Sequence, residues 1–268
     1  MLRILEKPKS IQLKTCKVLQ AMRIILIVCV LTIVGCDSQV STEIKIPFSI
    51  APLEKSVEID DLRFFIHDVF LLDPMGNKLD LHFDEEQASA DGVVLVDLRK
   101  NSNRHYLSGW VQSKADSYSG IEFIVGVPFL LNHSDPLTAP APLDDISMFW
   151  VWRDGYKFFR LDYQTETSKP SYHLGSTGCQ SASPVRPPEH LCDQTNEITI
   201  SLTGFDPLTE GIKVNLNPLI ALMESVDNQS CTGNYAEDKG CIEAFSEFGL
   251  NIQTGKCIDN CKNQTLFE

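Results

Sequence analysis

The sequence lacks the short motifs that usually identify an enzyme class. There is no HExxH zinc motif, no GxSxG nucleophile elbow, no Walker phosphate loop and no glycine-rich dinucleotide fingerprint. Basic residues are also scarce, at 23 Lys and Arg against 36 Asp and Glu in 268 residues. Metalloproteases, hydrolases and nucleotide-binding enzymes that carry these motifs are therefore disfavoured. A hydrolase that uses Asp and His side chains without a known motif stays as a minor alternative.

Apolar runs long enough for a bilayer-spanning helix are missing as well. The run IILIVCVLTIVG at 24–35 has the length of a signal-peptide core and follows a basic segment. It ends in Ile33-Val34-Gly35-Cys36, which resembles a bacterial lipobox. We therefore predict a lipoprotein signal peptide at 1–35, lipidation of Cys36, a polar tether over 36–47 and a single domain over 48–268. A cleaved signal without lipid and an uncleaved anchor are the alternatives.

The predicted mature chain is strongly acidic. Residues 1–35 hold six of the 23 basic residues and one of the 36 acidic ones, which leaves 17 and 35 and a formal charge of −18. Nucleic acid is disfavoured as a partner because it needs a basic footprint. The charge suits a metal ion or a basic protein, and it also favours solubility. We expect this protein on the periplasmic or cell-surface side, anchored by its lipid to the inner or outer membrane.

Six cysteines lie beyond Cys36, all in the last third of the chain: Cys179, Cys192, Cys231, Cys241, Cys257 and Cys261. An even number in an exported chain indicates disulfides. Fifteen connectivities exist for six cysteines, and the entropy of loop closure favours the sequential one, 179–192, 231–241 and 257–261. A thiolate metal site is the alternative, although no pair has the CxxC spacing of a zinc ribbon.

Strand patterns dominate the predicted domain. Runs rich in Val, Ile, Phe and Tyr recur between short turns, at 57–72, 92–98, 105–111, 120–129, 146–152, 156–163, 197–205 and 212–217. One helix is predicted at Asn217, which can cap it, with Pro218 in its first position. Because there is no βαβ alternation, the pattern predicts an all-β fold. We expect an antiparallel two-sheet β-sandwich with one short helix and a disulfide-rich C-terminal third.

Two of the three tryptophans lie one residue apart in MFWVWRDGYKFFRLDY, residues 148–163. Asp154-Gly155 is typical of a tight reversal, which would pair 148–152 with 156–162 as a hairpin. Alternate residues of a strand share a face, so Trp150 and Trp152 would lie side by side. Taken alone, this pattern most often indicates core packing.

Three histidines lie where a metal site could form. His67 is central in the strand FFIHDVF, His133 follows GVPFLLN, and His173 precedes a glycine turn and Cys179. Each of them alone is more often a core or turn residue than a ligand. Together, in an exported β-domain, three imidazoles favour copper or zinc.

Three blocks of the sequence are similar to signature blocks of the MbnP family, also described as the four-cysteine partner of the metallo-mystery pair. They are GVPFLLNH (126–133), PLDDISMFWVWRDGYKFFRLD (142–162) and HLGSTGC (173–179). The resemblance extends in order over residues 57–255. Cys257 and Cys261 are additional to the four cysteines of the family pattern.

The resemblance implies an exported copper-binding β-protein that is not itself an enzyme. In this family a dihaem cytochrome c peroxidase-like partner oxidises one tryptophan of the WxW pair to kynurenine, which here would be Trp150 or Trp152. Kynurenine exposes an aniline nitrogen, so the tryptophan position becomes part of the metal site. The candidate copper ligands are then His67, His133 and His173, and the implied role is copper capture or hand-off.

A second class of function stays open on the residues alone. Two neighbouring aromatic rings also suit a non-catalytic surface lipoprotein that binds carbohydrate or protein, with Trp150 and Trp152 as its platform. Oxidation of one tryptophan in the isolated protein would favour the copper-binding function. Unmodified tryptophans together with glycan binding would favour the binding platform.

Overall fold

Two β-sheets enclose one main apolar core, which confirms the predicted all-β sandwich. The computed structural model describes residues 41–84, 87–88, 91–113, 117–225, 230–233 and 239–268. The predicted signal peptide and the lipidation site Cys36 lie outside these residues. Within them, no helix has both the length and the hydropathy needed to cross a membrane.

The secondary structure is mostly short strands. In chain order they are β1 Ser41–Ile50, β2 Glu58–Leu72, β3 Lys78–Asp80, β4 His82–Phe83, β5 Val94–Asp97, β6 Tyr106–Gln112, β7 Gly120–Val125, β8 Phe159–Gln164, β9 Ser171–Leu174, β10 Ile198–Thr203, β11 Ile212–Val214, β12 Ser230–Cys231, β13 Leu250–Asn251 and β14 Lys256–Cys257. The helices are α1 Phe129–Asn132, α2 Asn217–Glu224 and α3 Lys239–Glu247, with 3₁₀ turns at Ile146–Met148 and Asp259–Cys261.

The larger sheet has the strand order β10-β7-β2-β8-β9-β12, and β3 and β5 also pair with β2. The smaller sheet has the order β11-β1-β6-β4, while β13 and β14 pair with each other. Most pairs are antiparallel, as predicted, but β1 with β11 and β9 with β12 are parallel. These two pairs join segments far apart in the chain, which local turn patterns cannot reveal.

Four phenylalanine rings join the two sheets. Phe48 lies on β1, Phe64 on β2 and Phe123 on β7, and Phe267 comes from the last segment of the chain. Their contacting centroids are between 5.4 and 6.2 Å apart in edge-to-face geometry, the arrangement that aromatic quadrupoles favour. We call these four residues the phenylalanine cluster.

The predicted tether over 36–47 is wrong for residues 41–47, because Ser41–Ile50 forms β1. Ile44, Ile46 and Phe48 are buried at alternate positions, and β1 pairs with β6 along residues 41–47. The sequence TEIKIPFSI does have the period of two expected of a half-buried strand. The polar residues at the start of this segment resemble a tether, but their alternation with apolar residues is what such a strand requires.

The helix predicted at Asn217 is present as α2, but the predicted cap is wrong. The Asn217 side chain donates to Pro52 O and accepts from Glu54 N, both at 2.9 Å, so it fastens a neighbouring loop instead. A further helix, α3, was not predicted. Its apolar residues Ala244 and Phe245 are buried and pack into the main core.

The three disulfides join Cys179 to Cys192, Cys231 to Cys241 and Cys257 to Cys261. This is the sequential pairing that short loops favour. The first disulfide lies beside the aromatic block and His133, and the other two fasten the C-terminal third.

Candidate metal site

Residues 148–163, which we call the aromatic block, form much less β-pairing than the predicted hairpin. Residues Ile146–Met148 are a 3₁₀ turn, Phe149 and Tyr156 form an isolated bridge, and regular strand begins only at Phe159. The strand predicted over 146–152 is therefore wrong. The cause is Asp145, whose side chain caps the turn by accepting a hydrogen bond from Ser147 N at 3.0 Å.

The predicted reversal is present, but it is displaced toward Trp152. Val151 O accepts hydrogen bonds from Asp154 N at 3.0 Å and from Gly155 N at 2.7 Å. The chain thus turns over residues 151–154, and Trp152 lies inside the turn. Trp150 lies before the turn, and its backbone N–H donates to Gly155 O at 3.0 Å.

The two tryptophan side chains face different cavities, so the predicted shared face is wrong. Trp150 lines a cavity of about 560 Å³ together with Ser176 and Cys179. Its ring packs on Gly175, where a Cβ would lie 2.6 Å from ring carbon Cζ3. Trp152 is 37% exposed and lines a separate groove with residues from the 180–189 segment. The pair does not form one flat platform.

Asn132 joins the three sequence blocks, and residue patterns did not single it out. It is 1% exposed. Its Oδ1 accepts a hydrogen bond from Tyr156 N at 2.7 Å, and its Nδ2 donates to Ser176 Oγ at 2.9 Å. Nδ2 also lies 3.3 Å from Nε2 of His133. The only sequence signal for this role was its position in LLNH, directly before a candidate ligand.

His133 is buried, and both of its ring nitrogens have neighbours. Nδ1 donates to Trp152 O at 2.9 Å, so the lone pair is on Nε2, which faces Asn132 and lies 3.6 Å from Cys192 Sγ. Burial lowers the pKa of His133, which favours this neutral form. His133 therefore holds the tryptophan turn against the Cys179–Cys192 disulfide.

His67 is the buried imidazole with the fewest partners. It is 5% exposed, and within the described part of the chain neither ring nitrogen makes a hydrogen bond. The nearest carboxylate oxygens are Asp68 Oδ2, 3.2 Å from Nδ1, and Glu197 Oε1, 3.5 Å from Nε2. An unsatisfied buried polar group typically costs about 1–3 kcal/mol. A buried imidazole kept at this cost is a candidate ligand.

The cavity of His67 adjoins that of Trp150. It has a volume of about 480 Å³, and its lining includes Glu197, Asn132, Ser176 and Cys192. Ser176 also lines the Trp150 cavity, and Asn132 and Cys192 both contact His133. Two of the three predicted histidines and one tryptophan therefore gather around the Asn132–Ser176 pair.

His173 lies in a different cluster. Its Nε2 is 2.7 Å from Asp162 Oδ1, and Asp162 also pairs with Arg160 at 2.6 Å. Burial raises the pKa of Asp162, but hydrogen bonds from His173, Ser171 and Arg160 outweigh it and hold that pKa far below its usual range. The imidazole of His173 is thus bound to the Asp162 carboxylate. Its role as a copper ligand stays a prediction.

Gly155 is required at the reversal by both its conformation and its surroundings. Its φ is +76°, and a Cβ would lie 2.6 Å from Asn132 Cγ. We expect Gly155→Ala to lower the free energy of unfolding by about 3 kcal/mol, through left-handed strain and displacement of Asn132. Gly76→Ala is the matched control, because Gly76 has φ +83° and no described atom within 4 Å. Gly76→Ala should lower the free energy of unfolding by about 1 kcal/mol in the same urea titration. If both variants lost the same free energy, the contact with Asn132 would not contribute to the requirement for glycine.

His133 should make stability depend on pH. Because burial lowers the pKa of His133, the folded protein binds this proton less readily than the unfolded chain. Its contribution is complete above the unfolded pKa of about 6.5 and is lost as pH falls toward the folded pKa. We expect urea midpoints to decrease from about pH 7 to about pH 5. His133→Gln should reduce this slope; an unchanged slope would assign it to other groups.

The fold and the site define a disulfide-bonded β-sandwich protein in which a buried histidine cavity adjoins a tryptophan-bearing turn. The MbnP family model matches residues 34–237, and the chain belongs to the MbnP family. Among solved structures, MbnP from Methylosinus trichosporium is similar, with a TM-score of 0.74, 21% identity, and coverage of 85% of this chain and 98% of that chain. The comparison with curated proteins gave no match.

Proposed function

We propose that this protein binds copper, with His67 as the principal ligand. The observation that carries the proposal is the His67 imidazole. It is 5% exposed, lines a cavity and has no hydrogen bond at either ring nitrogen among the residues that the structure describes. The donor set fits the metal, because imidazole and carboxylate suit copper(II), and Glu197 and Asp68 supply carboxylates beside the ring. In this proposal His133 orients the tryptophan turn, and His173 stays with Asp162.

The same proposal includes oxidation of Trp150 to kynurenine by a dihaem cytochrome c peroxidase-like partner. Two peroxide equivalents would add two oxygen atoms across the C2–C3 bond of the indole and open it, and hydrolysis would then release formate. Trp150 is favoured because its cavity shares Ser176 with that of His67. Trp152 is 37% exposed, so it could pass an electron from Trp150 to a partner docked at its groove.

The proposal also includes a lipid anchor and a location outside the cytoplasm. The lipobox-like Ile33-Val34-Gly35-Cys36 supports a lipoprotein held through Cys36 on the periplasmic or cell-surface side of a membrane. Copper capture or hand-off in that compartment would need a binding protein and no catalytic activity of its own. The acidic surface would favour docking of a basic partner.

Coexpression with the dihaem partner tests the tryptophan proposal. We expect the peptide that contains Trp150 to have the mass of kynurenine. The change should be absent from Trp150→Phe and slower in Trp152→Phe. Trp110→Phe is the matched control, because Trp110 is similarly exposed, at 39%, and lies on β6 of the smaller sheet. Intact tryptophan in the coexpressed wild type would refute oxidation, and loss of the change only in Trp152→Phe would move it to Trp152.

A further inference from the structure

The Cys179–Cys192 disulfide lies between the two cavities and beside an imidazole. Cys179 lines the Trp150 cavity, and Cys192 lines the His67 cavity. His133 can offer a ring nitrogen within 4.8 Å of both sulfurs, which themselves lie within that distance of each other. In the described residues this is the one group of three or more His, Cys, Asp or Glu side chains with ligand atoms so close together.

We propose that reduction of the Cys179–Cys192 disulfide creates a second metal site, in which two thiolates and His133 Nε2 bind one copper(I) ion. This site uses none of the donors of the His67 site and does not rest on that proposal. Sulfur ligands also distinguish it, because the His67 cavity offers nitrogen and oxygen donors from His67, Asp68 and Glu197.

The Cys179 and Cys192 sulfurs remain close to each other after reduction because backbone hydrogen bonds hold their two segments together. Thr177 and Gln194 form an antiparallel bridge in which each N–H donates to the other carbonyl, at 2.9 and 3.1 Å. Their side chains add a hydrogen bond of 2.7 Å from Thr177 Oγ1 to Gln194 Oε1. Both residues are two positions from a cysteine. The thiols therefore remain in place without the covalent bond.

The imidazole is also held in position for a metal. Nδ1 of His133 donates to Trp152 O at 2.9 Å, which leaves Nε2 as the nitrogen with the lone pair. A backbone carbonyl bound to the second ring nitrogen is the usual arrangement around metal-binding histidines. Nε2 already faces Cys192 Sγ at 3.6 Å, so little movement is needed to share an ion.

A dithiol can supply the electrons that reduce the Cys179–Cys192 disulfide. The dithiol gives two electrons and two protons, the Cys179–Cys192 bond breaks to two thiols, and the reductant becomes a disulfide. Copper(I) then displaces the two thiol protons. Soft thiolate ligands select copper(I), and three donors suffice for it, whereas structural zinc requires four.

Copper(I) binding to the full chain, measured with and without a dithiol, tests the proposal. We expect reduction to add copper(I) binding in competition with a colorimetric copper(I) chelator, and one ion per chain of this binding should be lost in Cys179→Ser/Cys192→Ser. X-ray absorption at the copper edge should show two sulfur neighbours and one nitrogen. His133→Gln should weaken this binding by about tenfold or more. A reduced wild type without copper–sulfur scattering would overturn the proposal.

Single-cysteine variants test the same site without reductant, so they remain informative if the reduced chain unfolds. Cys179→Ala leaves the Cys192 thiol beside His133 and keeps the other two disulfides. It should bind copper(I) through sulfur and nitrogen. Cys261→Ala is the matched control, because it frees Cys257, whose sulfur contacts only backbone atoms of Thr199 and Glu197 among the polar contacts described. Equal affinities in the two variants would mean that any free thiol captures copper, and would overturn the site.

Discussion

Replacing His67 with leucine should strongly weaken copper binding and make the metal-free protein more stable. The first effect follows because the variant loses the principal ligand. Loss of a group that only orients a ligand already costs roughly 10–100-fold in metal affinity, so we expect a decrease of about 100-fold or more. The second effect follows because leucine has no polar atoms to bury, whereas the His67 nitrogens make no hydrogen bond to any described residue. The carboxylates of Asp68 and Glu197, at 3.2 and 3.5 Å, offset only part of this cost because both are partly exposed to water. The gain should be about 1 kcal/mol.

The opposite signs of the two effects make this variant diagnostic. Copper titration measures the affinity, and urea unfolding of the metal-free protein measures the stability. His82→Leu is the matched control, because His82 is exposed and stacks on Trp110 with centroids 4.3 Å apart. It should leave copper affinity unchanged. Full affinity in His67→Leu, or a large loss of stability in its metal-free form, would make His67 an ordinary core residue.

Removing the carboxylate of Asp61 should cause a large loss of stability. Arg63 is 1% exposed. Its Nε donates to Asp61 Oδ1 at 2.7 Å and its Nη2 to Asp61 Oδ2 at 2.5 Å. In Asp61→Ala the hydrogen bonds that this buried guanidinium retains with described side chains are those from Nη1 to Asp145 and Ser147. Breaking a buried pair in this way costs about 3–5 kcal/mol, so Tm should fall by roughly 10 °C.

Asp60→Ala is the control for this prediction. Asp60 neighbours Asp61 on β2 but is exposed, and it accepts one hydrogen bond, from Gln164 Nε2 at 3.3 Å. We expect a change within about 0.5 kcal/mol. The double variant Asp61→Ala/Arg63→Met should recover most of the lost stability, because apolar replacement of a buried pair is often neutral. No recovery would show that the cost does not arise from the unpaired Arg63 charge, but from packing or from the other ion pairs of this cluster, Asp61 with Arg160 and Arg63 with Asp145.

The fold was largely predictable because its strands and disulfides depend on local patterns. The strand periodicities, the absence of βαβ units and the even cysteine count led to the sandwich and to the sequential pairing. β1 was missed because its polar start, with Glu43 and Lys45, resembles a tether, although their alternation with apolar residues is the pattern of a half-buried strand. The parallel pairing of β1 with β11 depends on contacts between distant segments, which periodicity does not encode.

The candidate site was predictable in composition but not in arrangement. The histidines and the aromatic block could be named from residue types. The 3₁₀ turn that replaces the start of the predicted strand could not be predicted, because it depends on Asp145, which is bound to Arg63 of β2 at 2.7 Å. The role of Asn132 was also hidden, since one amide that joins three segments leaves no periodic signal.

The phenylalanine cluster has a consequence for when the chain can fold. Phe48 lies on the first strand, yet Phe64 and Phe123 both need Phe267, at 5.4 and 5.8 Å, to complete their packing. The packing of this cluster is therefore complete only after residue 267 has been made, and folds dominated by such distant contacts form slowly. A late, slow closure suits a chain that, as proposed, crosses a membrane before it folds, because the core that would block passage is the last part to form.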